Sequence, residues 1–381
     1  MAGYVFAIGG DADPVAAIRE CAEKGVFSTY LNSLSPLPFE GTLADYMSMK
    51  PGDNIYFFCK RKYYGVGELI DVGPDCKYCN FPDSEKLSRV TYQDIQNSLL
   101  VDYGEQSPHD RWLCTFKGSP YLFMEGIDTD EILTYKPDTF KMLRAFWKVS
   151  FIKLGDEENN SLKEIFLLRR QQEALTHQGI FETADETHAR MLSKPLEEYV
   201  IKPAALLQSC NTGTRLRHEM ALEANVVYDL VHGNIQILGN WDYVSHQVIA
   251  SPFKPIDYMD KIDVFAMRYL PDSRIPAKYL VAELKKDAAD NDTIDQVLKY
   301  VDWVCGEYAY SDYEMIDACI IAAEFTLGIN EYYRNVVKRF YTLGSHPVRN
   351  KQWTALKLIT YTYSDGAIHY TDVTPGVDEN G

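Results

Sequence analysis

The stretch Lys278-Tyr-Leu-Val-Ala-Glu-Leu-Lys285 joins an apolar strand pattern to two opposite charges placed two residues apart. Side chains alternate along a strand, so Glu283 and Lys285 leave one face of a sheet while Leu284 enters the other. Half-burying a carboxylate and an ammonium among Tyr-Leu-Val-Ala is costly unless something repays it. A salt bridge at a strand edge is the plain reading. A site that handles a cation and a phosphate is the sharper one: Glu283 holds a hard divalent ion, and Lys285 orients a water or neutralises developing negative charge.

Neighbouring residues favour the sharper reading. Asp263 lies in an earlier strand, Ile262-Asp-Val-Phe-Ala-Met267, and a hairpin through Pro271–Pro276 sets its carboxylate beside Glu283. Downstream, Gln296 and Tyr300 are four apart on the helix Thr293–Tyr308, hence on one face. Gln296 also fits a capping box with Thr293. Upstream, the helix Arg215–Val231 carries Glu219 and Glu223, again four apart. One of the two can join the metal shell while the other stays on a solvated face.

The rest of the chain sorts by pattern. Residues 1–154 read as mostly β, with Tyr4–Ile8, Ile55–Cys59, Gly65–Ile70, Trp112–Phe116, Tyr121–Met124 and Trp147–Leu154 as strands. Residues 155–210 read as a helical connector, 211–365 as a mixed sheet flanked by helices, and 366–381 as a frayed tail. In the third segment Ile235–Gly239, Ala318–Ala323 and Leu356–Tyr363 are further strands, and Glu331–Phe340 is a helix. No apolar run approaches the roughly 20 residues of a membrane span, and the first ten residues lack a signal-peptide pattern, so a cytoplasmic location is expected. Cys76-Lys-Tyr-Cys79 is a lone CxxC with no second pair, read as two free thiols in a loop.

Charge limits the partners. The chain has 38 Lys and Arg against 55 Asp and Glu, a net of −17, so its surface as a whole repels nucleic acid. Contact with DNA must come from local patches. Lys60-Arg-Lys-Tyr-Tyr64, at a hairpin tip, is one candidate, with Lys60, Arg61, Lys62 and Tyr64 as contacting residues; a solvated turn is the equal alternative. The 27 Tyr and 17 Phe suit base stacking or a β-rich core.

Taken together, Leu-Glu on a helix, Ile-Asp on a strand, Glu-Leu-Lys on a strand and Gln-x-x-x-Tyr on a helix resemble the PD-(D/E)XK nuclease superfamily. Residues 281–303 are similar to the catalytic segment of NucS/EndoMS-type endonucleases, and the likeness spans about residues 212–325. The resemblance implies an α/β nuclease core. It assigns metal carboxylates to Glu223, Asp263 and Glu283, the catalytic lysine to Lys285, and supporting roles to Gln296 and Tyr300. No proline precedes Asp263, a departure the superfamily often shows. The run Leu43–Cys59, with Met-Lys-Pro-Gly-Asp ahead of an apolar strand, resembles PUA-like barrels of the EVE type, which as a family bind nucleic acid and several of which hold a modified base in an aromatic pocket.

These resemblances imply a DNA endonuclease dependent on Mg²⁺ or Mn²⁺, of the modification-dependent restriction or antiphage kind, with RNA still open as substrate. A mismatch- or structure-directed NucS-like or Shedu-like nuclease is the alternative enzyme. A non-catalytic nucleic-acid-binding or scaffold protein is the alternative of another class. A double-strand break needs two centres, which implies a homodimer or a larger homo-oligomer.

Overall fold

The computed structural model describes residues 1–9, 13–31, 35–119, 121–145, 151–251, 259–344 and 346–377. The chain is a mixed α/β protein in two compact units, Met1–Ala205 and Leu206–Gly381.

The first unit contains β1 (Gly3–Ala7), α1 (Pro14–Lys24), β2 (Val26–Tyr30), α2 (Pro36–Met47), β3 (Asn54–Cys59), β4 (Lys62–Leu69), β5 (Lys77–Cys79) and α3 (Tyr92–Ile95). These are followed by β6 (Asp110–Gly118), β7 (Ile127–Asp128), α4 (Thr129–Tyr135), β8 (Phe151–Leu154), α5 (Asp156–Arg169), α6 (Gln171–Thr176) and α7 (Glu186–Leu192). The helix α8 (Ala204–Cys210) runs across the boundary. Local chemistry explains α1: Asp13 accepts from the Val15 N–H, Pro14 opens the helix, and Gly25 at φ 61° closes it.

The strands form one sheet in the order β2-β6-β4-β3-β1-β8, with β5 also paired to β6 and β7 to β4. Among the described residues, β1 and β3 run parallel and the other pairings are antiparallel. The aromatic surplus goes largely into this core. Phe6 stacks on Phe27 at 4.3 Å, and Phe57 and Phe151 meet them edge-on or tilted. Tyr121–Met124 is not a strand; Phe123 makes one isolated bridge to Ile180. Of the expected strand Trp147–Leu154, residues 151–154 form β8, and 146–150 lie outside the described residues.

The expected connector over 155–210 does not stand apart. Leu162, Ile165 and Phe166 of α5 are buried with Val5, Tyr56 and Tyr63, while Met191, Leu196 and Tyr199 pack with Val26, Tyr78 and Leu113. An apolar helix face must be covered, and the nearest cover is the sheet of the same unit. All eight cysteines are free.

The second unit is built from α9 (Glu219–Val231), β9 (Tyr243–Ile249), β10 (Lys261–Tyr269), β11 (Pro276–Ala289), α10 (Asn291–Glu307), β12 (Ile316–Phe325), α11 (Ile329–Val336), β13 (Arg339–Leu343), β14 (Arg349–Trp353), β15 (Leu356–Ser364) and β16 (Ala367–Asp372). Six of its strands make a mixed sheet, β16-β15-β12-β11-β10-β9, and β13 pairs with β14 in a separate hairpin. β9, β10 and β11 are antiparallel neighbours; β11, β12 and β15 are parallel. A strand paired on both sides is screened from water along its backbone, so β11 can hold Tyr279–Leu284 buried.

Four expectations are corrected in this unit. Ile235–Gly239 is a turn, and the first strand is β9 instead. The helix expected from Arg215 starts at Glu219. The helix expected over Glu331–Phe340 stops at Val336, because the following residues pair as β13. The expected tail contains β16, an edge strand on β15. No described helix is long and apolar enough to cross a membrane.

Candidate active site

Strand β11 places the pair that opened the sequence reading. Leu284 is fully buried on one side, while Lys285 Nζ meets Glu283 Oε1 at 2.7 Å on the other. Glu283 is 1% exposed, and its second oxygen, Oε2, is buried without a hydrogen-bond partner. A buried carboxylate oxygen left unsatisfied costs on the order of kilocalories per mole, and such atoms in folded proteins call for a functional explanation. Immediately after Lys285 the register against β12 slips by one residue, a bulge that turns the Lys286 N–H away from β12 and onto Glu219 Oε2 at 3.1 Å.

Strand β10 supplies Asp263. The antiparallel register pairs Val264 with Ala282, so Asp263 and Glu283 are the next residues out on adjacent strands. Asp263 Oδ2 accepts from the Leu284 N–H at 2.9 Å. Helix α9 brings Glu223, buried, whose oxygens meet His246 Nδ1 at 2.6 Å and the Gln247 side-chain amide at 3.0 Å. That amide also reaches Asp263 Oδ1 at 3.4 Å. Gln247 sits at φ 52°, a left-handed conformation that a non-glycine residue holds at some cost.

The electrostatics are those of crowded anions. Burial, then the charges of Glu283 and Glu223, push the Asp263 carboxyl up to about 8. Burial also raises Glu283; Lys285 opposes that rise, and Glu219 and Glu223 add to it. For Lys285 burial works to lower the pKa, but Glu283, Glu219 and Asp263 outweigh it and raise the ammonium above its ordinary value. Burial lifts Tyr300 to about 12, with Glu283 and Asp263 contributing. Tyr300 accepts the Gln296 amide at 2.8 Å.

Glu223, Asp263, Glu283, Lys285 and Tyr300 therefore share one electrostatic neighbourhood, with Gln296 bonded to Tyr300, and Glu219 joins through Lys286. The alternative cap role of Gln296 is excluded: Asp290 caps α10, and Thr293 is its reciprocal partner. His246 and Gln247 touch this carboxylate cluster and are absent from the sequence reading, since β9 itself was not recognised. The signal available was Tyr243-Val and Val248-Ile flanking two polar residues.

A hard divalent cation fits this donor set by two criteria. Glu283 Oε2 is an unused buried acceptor, and three mutually repelling carboxylates gain from a positive charge. Among the described residues, Glu223, Asp263 and Glu283 do not bring three ligand oxygens within 4.8 Å of one another. Lys285 and Gln247 hold some of the oxygens a cation would use. Elsewhere in the unit Cys210 Sγ lies 3.9 Å from His218 Nδ1, a pair suited to a softer ion.

In the first unit, Lys60, Arg61 and Lys62 are exposed around the β3–β4 turn, and Arg61 pairs with Asp130 at 2.8 Å. Tyr64 is not at the tip; it is 5% exposed, opposite Phe57 within the sheet. A cavity of about 480 Å³ lies at the C-terminal end of β1, the sheet end that also carries this turn, and is lined by Phe27, Tyr30, Tyr103, Lys24 and Asp110 among others. Burial pushes Asp110 up to about 6, against the Ser28 hydroxyl at 2.9 Å and the nearby His109 and Lys24.

Comparison with protein-family models gives no match for the chain, and no curated protein matches it.

Proposed function

We propose that the second unit is a metal-dependent phosphodiester hydrolase of the PD-(D/E)XK kind, acting on DNA. The observation that carries this reading is the buried, unpartnered Glu283 oxygen beside Asp263 and Lys285. The order α9-β9-β10-β11-α10-β12 supports it, because it puts the helix carboxylate, the strand carboxylates and the Gln-x-x-x-Tyr helix around one strand. Glu223, Asp263 and Glu283 would hold Mg²⁺ or Mn²⁺, which supplies Lewis-acid charge against the phosphate.

Each remaining step belongs to the chain. Lys285, anchored on Glu283, orients the attacking water and offsets charge that builds on the phosphoryl oxygens. Gln296, turned by Tyr300, donates its amide toward the same water or phosphate. His246 holds the helix carboxylate of Glu223 in place, as a second-layer partner fixes a ligand.

The first unit is proposed as the part that selects the target. Its cavity has the size of a small-ligand pocket and combines aromatic rings with one carboxyl group, Asp110, that burial raises above its ordinary value, a combination suited to reading a base edge. Lys60 and Lys62 stand at the same end of the sheet, where they would meet phosphates. The whole is then a modification-dependent restriction or antiphage enzyme, assembling as a homodimer to cut both strands. Incubating modified and unmodified DNA, and RNA, with the purified chain and Mg²⁺ or Mn²⁺ tests this. Metal-dependent scission of DNA is expected. No scission of any nucleic acid under these conditions refutes it, and cutting of RNA alone transfers the activity to that substrate.

A further inference from the structure

Residues 206–381 hold 24 Asp and Glu against 16 Lys and Arg, so a carboxylate partner is within supply for every cation. Most take one. Among the described residues of this unit, eight lysines and arginines are paired with carboxylates, and Arg268 and Arg274 lie over aromatic rings. Arg217 and Lys261 depart from that pattern: neither side chain makes a hydrogen bond or an ion pair with a described residue.

Both stand beside the buried carboxylates, on opposite flanks of β11. Lys261 precedes Asp263 by two residues on β10, and the burial of Ile262 and Val264 puts Lys261 and Asp263 together on the other face. Because β10 runs antiparallel to β11, Lys261 lies toward the end of the sheet that carries Lys285. Arg217 comes from the β12 and β15 side, in the segment that leads into α9. Four bonds fix that segment. Arg215 pairs with Glu324 at 2.9 Å, and the Thr214 carbonyl accepts from the Tyr363 N–H at 2.9 Å. The Leu216 N–H bonds the Tyr361 hydroxyl, and the Arg217 N–H donates to the Cys210 carbonyl at 2.8 Å. Tyr361 in turn donates to the Lys286 carbonyl at 2.7 Å, and Glu219 accepts the Lys286 N–H at 3.1 Å. Arg217 is therefore bracketed, at Leu216 and Glu219, by two ties to the residue that follows Lys285, while its own side chain is exposed.

Neither cation is bonded to Glu223, Asp263 or Glu283, so both charges stay available to an anion from outside. One cation on each side of a cation-binding centre matches a ligand whose negative charges repeat on both sides of the reacting bond. A lone phosphate monoester would fill the centre and leave both flanks idle. We propose that Arg217 and Lys261 bind the two backbone phosphates that flank the scissile phosphodiester, Arg217 through its planar fork and Lys261 as a point charge. This rests on the hydrolase reading and deepens it: the substrate is a strand that continues past the centre in both directions.

The test uses the full chain in EDTA, so that binding is read without cleavage. Anisotropy of a fluorescein-labelled duplex of about 30 base pairs is followed across a salt series from about 50 to 200 mM. Arg217→Ala and Lys261→Ala are each expected to lose about one from the slope of log affinity against log salt, and the double variant about two. Arg349→Ala is the control. Arg349 is exposed on β14, the strand whose Trp353 packs at the opposite end of β12 through the Ile316 carbonyl, and its loss should leave the slope unchanged. A wild-type slope in the folded double variant, no duplex binding by the wild type, or an equal loss in Arg349→Ala overturns the proposal. The two readings fail separately. A chain inert with Mg²⁺ whose double variant still loses two slope units sinks the hydrolase alone, and a chain that cuts while its double variant keeps the wild-type slope sinks the clamp alone.

Discussion

Replacing Asp263 by Asn should make the metal-free protein more stable, not less. Asn keeps the shape and retains an acceptor for the Leu284 N–H, but it removes the half-buried member of three crowded carboxylates that repel each other. In the wild type the Asp263 carboxyl is raised to about 8, so the folded protein binds a proton that the unfolded chain has released. Stability therefore falls as pH rises from about 4 to about 8, by up to about 1.4 kcal/mol per pH unit over that window. Because Glu283 shares the burden, a net gain of about 2–4 kcal/mol for Asp263→Asn at pH 8 is the reasonable scale. For a unit of this size each kcal/mol moves the midpoint by about 2–4 °C, which makes the shift roughly 5–15 °C.

Calorimetry or circular dichroism in EDTA reads it, following the transition of the second unit. The gain should be present at pH 8 and nearly absent at pH 5, where Asp263 in the wild type is already protonated. Saturating Mg²⁺ should reverse the order, since only the wild type keeps all three carboxylates for the ion. A variant that is destabilised in EDTA at pH 8, or whose gain does not depend on pH, refutes the crowded-anion argument.

Other expectations follow the same logic. Gln247→Gly places the residue that tolerates φ 52° at that position and removes the amide between Glu223 and Asp263. Calorimetric titration should show tighter Mn²⁺ binding, by severalfold, and equal or weaker binding would mean that Gln247 supports the site instead of occupying it. Replacing Lys60, Arg61 and Lys62 together by Ala should flatten the salt dependence of DNA binding by up to about three slope units without altering base preference. Phe27→Ala or Asp110→Asn should do the reverse, losing preference among modified bases with the slope kept; equal effects of both sets on the slope would dissociate the cavity from base reading.

The centre of the second unit was legible because a strand's period of two is rigid. Glu283, Leu284 and Lys285 can only alternate, and Asp263 needed only a hairpin to lie alongside. The neighbouring strand β9 was not legible, because Ser245, His246 and Gln247 interrupt its apolar pattern, the last two turning toward Glu223 and Asp263. β16 and the β13–β14 hairpin escaped for a related cause: edge and isolated strands bury little, so polar residues fill them. Burial misled in the other direction at Tyr64. Beside three exposed cations it reads as a tip residue, yet the sheet around it buries Tyr63 and Tyr64 in succession. The helices of 155–210 read as a connector since no sequence pattern says which surface an apolar helix face will cover.

The most direct test of the central claim is a cleavage assay on plasmid DNA with the wild type, Glu283→Gln and Lys285→Ala, each with Mg²⁺, with Mn²⁺ and with EDTA. Loss of one such group from the reacting centre removes about 3–4 kcal/mol of transition-state stabilisation, or 10²–10³ in rate. Metal-dependent nicking or linearisation by the wild type is expected, with both variants folded and at least a hundredfold slower. Cutting at wild-type rate by both folded variants would place any nuclease chemistry away from Glu283 and Lys285, and contradict the assignment.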